Sequence, residues 1–166
     1  MDHVAREAGL SKGALYVHFP GKEELFLALL DDAAAALVER VSEAIATARG
    51  GRQKVLAALE AAVGAFEENE DLTRLFLLES VGASPRVEER RWQLRQALTR
   101  LVQAHLDEAV LDGDLPPQDT ALAAAVWMGA TSEVVVRWLR EPSRSLRPVA
   151  PALAALLLRS VGFRDA

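Results

Sequence analysis

Residues 4–26 read VAREAGLSKGALYVHFPGKEELF, two short helix-forming runs parted by one glycine and followed by polar and aromatic residues. A tight helix-turn-helix makes three demands. The residue where the helices touch is small, the turn residue tolerates a left-handed backbone, and an apolar residue on the second helix pins it to the first. Ala5, Gly9 and Leu15 meet them, with Val4, Ala8 and Leu10 as further core candidates. Glycine reaches positive φ without a Cβ penalty. Ser11 stands where its hydroxyl caps the second helix. In such a unit the second helix enters the major groove with its N-terminal residues against base edges.

The residue types on that helix fit the task. Ser11 and the helix start offer hydroxyl and backbone N–H groups to a phosphate. Lys12 is long enough for a phosphate or a guanine edge. Gly13 and Ala14 are small, which lets the backbone come close to the bases. Tyr16 and His18 donate to phosphate oxygens, and Lys22 adds a further cation at the start of the next helix. Phosphate contacts position a protein and base contacts specify sequence. The expected base readers are few: Lys12, Ala14 and Val17.

Beyond this stretch the apolar residues recur every three and four positions, and Ala, Leu, Glu and Arg dominate, so the fold is predicted to be all-α. A long helix is expected from about Pro20 to Arg49, stopped by Gly50-Gly51, with a stripe through Leu25, Leu29, Ala33, Leu37, Val41 and Ile45. Further helices are expected over 52–68, 72–81, 86–111 and 118–140, and a last one up to about Val161. The breaks are NED (69–71), a loop at 82–85, DGDLPP (112–117) and EPSRSLRP (141–148). Two units follow: a DNA-binding unit with its connecting helix over residues 1–47, and a ligand-binding and dimerisation unit over 48–166.

Composition narrows the function. A chain 51% hydrophobic and 26% charged is globular. Its formal net charge of −5 excludes DNA binding by overall charge, so a local surface must supply it. There is no cysteine, which removes disulfides and thiolate metal sites. The opening residues lack a charged-then-apolar leader, and no uninterrupted apolar run reaches about 18 residues, so a cytoplasmic location without a membrane span is expected. An enzyme is disfavoured. The three histidines are far apart, and no cofactor-binding glycine loop is present. His105 shares a helix face only with Glu108, a solvated pair rather than a metal site.

With its turn, its LY and HF pairs and its K-E-x-L in order, the quoted stretch resembles the signature of the tetracycline-repressor (TetR) family of bacterial transcription regulators. The resemblance implies a homodimer that binds a palindromic operator and lets go when a small ligand enters the C-terminal unit. Tyr16, His18 and Lys22 match positions that grip the DNA backbone in that family. Family members carry a further helix before this motif. The sequence begins at the first motif helix, which leads to the expectation that Val4, Ala8, Leu15 and Phe19 are exposed. It also leaves an alternative: a dimeric ligand-binding or interaction module whose DNA-binding unit is incomplete and non-functional.

The large apolar residues Phe66, Leu72, Phe76, Trp92, Trp127 and Met128 sit at helical spacing, and core is the default reading. In a ligand-hosting unit Phe66, Phe76 and Trp127 are candidates to line a cavity. The expected effector is small and hydrophobic. The stretch GATSEVVVRWL (129–139) loosely resembles regulators of acyl-CoA or fatty-acid metabolism. Gly129 and Ala130 permit close helix approach, and PALAALLLRSVGF (151–163) is apolar over most of its surface. A partner subunit is the expected cover for both.

Overall fold

A computed structural model of the chain describes residues 1–9, 11–141 and 145–163. Every regular element among them is helical: α1 (Asp2–Glu7), α2 (Lys12–His18), α3 (Lys22–Thr47), α4 (Gly51–Glu68), α5 (Glu70–Arg74), a π-helical turn (Leu75–Glu79), α6 (Pro85–Leu111), α7 (Thr120–Arg140) and α8 (Val149–Ser160). The core candidate Leu10 and part of the break at 141–148 lie outside the described residues.

Local chemistry sets most boundaries. Gly9 takes φ +67° between α1 and α2. Ser11 Oγ accepts from the Ala14 N–H at 3.1 Å and caps α2. Ser84 caps α6 through the Val87 N–H, with Pro85 in the first turn, where its missing N–H costs nothing. Asp119 does the same for α7 through Leu122. Two elements differ from the sequence reading. The long helix ends at Thr47, ahead of Arg49. The apolar segment LFLLE is wound as a π turn, in which the Ser80 N–H reaches back five residues to the Leu75 carbonyl.

α3 lies along α4 and touches α6, while α6 packs on α7 and α4 on α8. Two apolar clusters hold this bundle. One gathers Leu59, Leu106, Trp127, Leu153 and Leu157, and the other Val63, Val135, Trp138, Leu139 and Leu146. α7 supplies both, and on length and composition alone it is apolar enough to cross a membrane. Here one side of it is the centre of the bundle. Charge ties the periphery together: Arg40 of α3 pairs with Glu68, which also receives Arg147. Gly64 makes room for that arginine, since a Cβ there would stand 2.9 Å from Arg40 Nη2.

The small N-terminal unit is thinly built. Ala5 and Leu15 are its buried residues on α1 and α2, and Leu15 is only 4% exposed. Leu15 therefore departs from the expectation of exposure, because α1 and α2 close on each other along that side. Val4 and Ala8 are exposed and Phe19 is half-buried. A six-residue helix has one side to offer its neighbour, and Ala5 occupies it.

Candidate nucleic-acid interface and its link to the bundle

α2 is amphipathic in a simple way. Leu15 points inward. Lys12, Gly13, Tyr16 and Val17, at relative positions i, i+1, i+4 and i+5, share an exposed ridge on the outer face. Val17 is 80% exposed on that face. Ala14 is half-buried, and Ser11 and His18 flank the ridge, both exposed. Lys22 is exposed at the start of α3. The turn thus brings six of the seven predicted DNA-contacting residues onto one short helix and its two ends, with Lys22 at the start of α3.

One of these residues is already engaged. Lys12 Nζ lies 2.9 Å from Asp2 Oδ2, and 5.9 Å from the centre of the Tyr16 ring. The hydrogen bond from Lys12 holds the Asp2 carboxyl below its ordinary range, and the same bond raises Lys12. Both side chains stand in water.

The first half of α3, which follows α2, is tied to the start of α6. Ser84 Oγ donates to Glu23 at 2.9 Å, Arg86 Nη1 to Glu24 at 3.0 Å, and Arg90 Nε to Asp31 at 2.6 Å. Glu24 sits below the usual carboxylate range because a backbone N–H and Arg86 both donate to it. Asp31, Arg86 and Arg90 line an open groove together with Leu27 and Pro85. One turn along, Phe26 of α3 meets Phe76 of the π turn edge to face, with ring centroids 5.4 Å apart. Ser80 Oγ donates to the Phe76 carbonyl, and Thr73 Oγ1 to the Phe66 carbonyl. Wide π turns are frequent at functional positions in helices.

The predicted ligand-lining residues fall in three separate surroundings. Trp127 is 6% exposed in the first apolar cluster, and its Nε1 donates to Ser160 Oγ at 3.1 Å. Phe66 packs against the second cluster. Phe76 faces the connector. His105 Nδ1 stands 3.4 Å from Glu108 Oε2, and the described residues bring together no group of three or more His, Asp or Glu side chains fit to hold a metal.

Two models of known families match the sequence. "Bacterial regulatory proteins, tetR family" matches residues 1–29, and "Tetracyclin repressor-like, C-terminal domain" matches residues 48–161. The chain belongs to the tetracycline-repressor family. It is a transcriptional regulator of TetR type, and α1 and α2 are its helix-turn-helix. Among curated TetR-type relatives, the HTH-type transcriptional activator FasR of Mycolicibacterium smegmatis is 38% identical over 87 residues, which is 52% of this chain and 40% of that one. The chain thus spans well under half of that relative's length. Among solved structures, the fatty acid degradation regulator FadR of Bacillus halodurans superposes with a TM-score of 0.88 at 21% identity, covering 98% of this chain and 88% of that chain. FadR of Bacillus subtilis in complex with stearoyl-CoA superposes with a TM-score of 0.86 at 19% identity, covering 98% and 87%. At these identities the likeness is one of fold.

Several residues that tie α3 to the bundle are absent from the sequence reading: Phe26, Ser84, Arg86 and Arg90. Glu23 and Glu24 look in sequence like ordinary acids at a helix start. Their partners lie about sixty residues away, beyond any local signal.

Proposed function

We propose that the chain is a ligand-responsive repressor that binds a palindromic operator as a homodimer and is released by a long-chain acyl-CoA or a related fatty-acid derivative. The observation that carries this reading is the exposed ridge of α2, with Lys12, Tyr16 and Val17 on the outer face of a family-matched helix-turn-helix. Lys12, His18, Tyr16 and Lys22 bind phosphates, Ser11 and the α2 start help to place them, and Gly13 and Ala14 bring the backbone close to the bases. Val17 suits a thymine methyl.

Dimerisation is supported by the surface of α7 and α8. Leu122 and Val126 of α7 are 62% and 53% exposed, and Leu156 of α8 is 58% exposed. On α7, residues 122, 125, 126 and 129 run along one face; on α8, residues 149, 152 and 156 do the same. Two such pairs from two protomers make a four-helix interface. To read one operator, the two α2 helices of such a dimer must stand about 34 Å apart, one turn of DNA, so that they enter successive major grooves.

The acyl-CoA class is supported by the FadR likeness, including the stearoyl-CoA complex. A ligand releases DNA only if it binds the DNA-incompetent arrangement more tightly. An acyl chain entering the bundle between α4, the π turn, α6 and α7 displaces Phe76 and the start of α6. Phe26, Glu23, Glu24 and Asp31 follow, α3 tilts, and the spacing of the α2 helices is lost. Trp127 and Phe66 line the inner end of that path in the opened form. Thermal unfolding with stearoyl-CoA, free CoA and stearate tests the effector. Stearoyl-CoA at about a hundred times its dissociation constant stabilises the protein by about 2.7 kcal/mol. Equal melting with all three and with buffer removes the acyl-CoA class.

A further inference from the structure

We infer that Asp2 is an internal competitor for Lys12 that sets the DNA affinity of the reading head. The inference rests on the DNA-binding role proposed above. α1 and α2 are separate helices, yet the turn at Gly9 returns the chain so that Asp2, the first residue of α1, meets Lys12, the first residue of α2. The contact is 2.9 Å between a carboxylate oxygen and the ammonium nitrogen. It stands at the end of α2 that leads into the groove. Lys12 Nζ thus already holds an anionic oxygen, which a phosphate or guanine edge must replace.

The charge balance of the head makes this one contact matter. Over residues 1–22 the cations are Arg6, Lys12 and Lys22, and the acids are Asp2 and Glu7. Only Lys12 lies on the exposed ridge of α2. Ser11 Oγ is committed as an acceptor to the Ala14 N–H. DNA binding by the ridge thus begins with the rupture of the Lys12–Asp2 pair, and it leaves a carboxylate beside the phosphate backbone.

Ion accounting gives the consequence. A lysine that neutralises a phosphate releases about 0.9 of a condensed counterion. In the wild type the freed Asp2 carboxylate adds a negative charge beside the phosphates as Lys12 neutralises one, so the two together bring no net charge to the DNA and most of that release is lost. Asp2→Asn keeps the shape and removes the charge. Its DNA affinity is expected to rise by roughly tenfold at low salt for a two-headed complex, from the strength of two exposed pairs and the lost repulsion. The dependence of log affinity on log salt is expected to steepen by about 0.9 per head.

The experiment measures duplex binding by fluorescence anisotropy over a salt series, with the 166-residue wild type, Asp2→Asn, Lys12→Met and the double variant. DNA from the chain's own promoter region and a random duplex are the probes, and thermal melting confirms that each variant is folded. A tighter and steeper Asp2→Asn, with both changes absent in the Lys12→Met background, supports the inference. Binding by the wild type that Asp2→Asn leaves unaltered overturns it and leaves the DNA-binding reading standing. A gain of equal size in the Lys12→Met background also overturns it, because the effect is then general repulsion. No binding by any of the four proteins to either duplex overturns the DNA-binding reading itself, and this inference with it.

Discussion

Leu156→Asp is expected to separate the proposed dimer while leaving each bundle folded. Leu156 belongs to neither apolar cluster, and 58% of its surface faces water within one chain. Burying a leucine fully is worth about 1.5–3 kcal/mol, so covering the exposed part contributes about 1–2 kcal/mol. A two-fold interface uses the same patch on both subunits, which doubles this to about 2–4 kcal/mol. At about 1.4 kcal/mol per tenfold, the dimer weakens by about 30- to 700-fold before the cost of two desolvated carboxylates is counted. Sedimentation velocity over a wide concentration range reads the change, and helical signal on heating checks the fold. Leu122→Asp on α7 should act alike, whereas Leu111→Asp, at the still more exposed end of α6, should not. The reasoning is refuted by a wild type that stays monomeric at the highest concentration, or by a Leu156→Asp variant that sediments as the wild type does.

Phe76→Ala removes the ring that meets Phe26, an aromatic pair worth about 0.5–1.5 kcal/mol beyond its area. Operator affinity without effector should change less than its ratio with and without stearoyl-CoA, which should shrink toward one in anisotropy titrations. Leu139→Ala opens a cavity in the second cluster, where Leu139 is 1% exposed. It should cost about 2–5 kcal/mol in denaturant unfolding. Hydrogen bonds from the Ser145 hydroxyl, the Leu146 N–H and Arg147 hold the Glu67 carboxyl below its ordinary value of 4.5. A depressed carboxyl stabilises the fold above its unfolded pKa, and that stability is lost as pH falls through the folded one. Melting temperature should therefore fall below about pH 4.5, and Glu67→Gln should lower stability at neutral pH while flattening that acid limb.

What the sequence made legible was local. Gly9 and Ser11 announce a turn and a cap through chemistry within four residues, and the structure uses each that way, whereas Pro85, read as the end of a loop, opens α6. The helical periodicity located the long elements to within a few residues for the same reason. Features settled by tertiary contact were not legible. LFLL fits an α-helix as well as a π turn, and the wider winding accompanies the seating of Phe76 on Phe26. Asp2 and Lys12 are ten residues apart, and Arg90 and Asp31 fifty-nine, so no spacing rule joins them. Val4 and Ala8 have the composition of core residues, yet α1 and α2 meet along the side that carries Ala5 and Leu15 and leave them outside it. Trp127 illustrates the remaining ambiguity. Its size marks it for either core or cavity, and its partner, the Ser160 hydroxyl, lies on a different helix.

The most direct test of the central claim is operator binding and its release. Anisotropy or footprinting with DNA from the chain's own promoter region, against random duplex, is run over a salt series with and without stearoyl-CoA. A ligand-responsive repressor gives promoter-selective, salt-sensitive binding that stearoyl-CoA weakens and free CoA does not. Equal affinity for promoter and random DNA at every salt contradicts it, and directs attention to the helical bundle as the functional part of the chain.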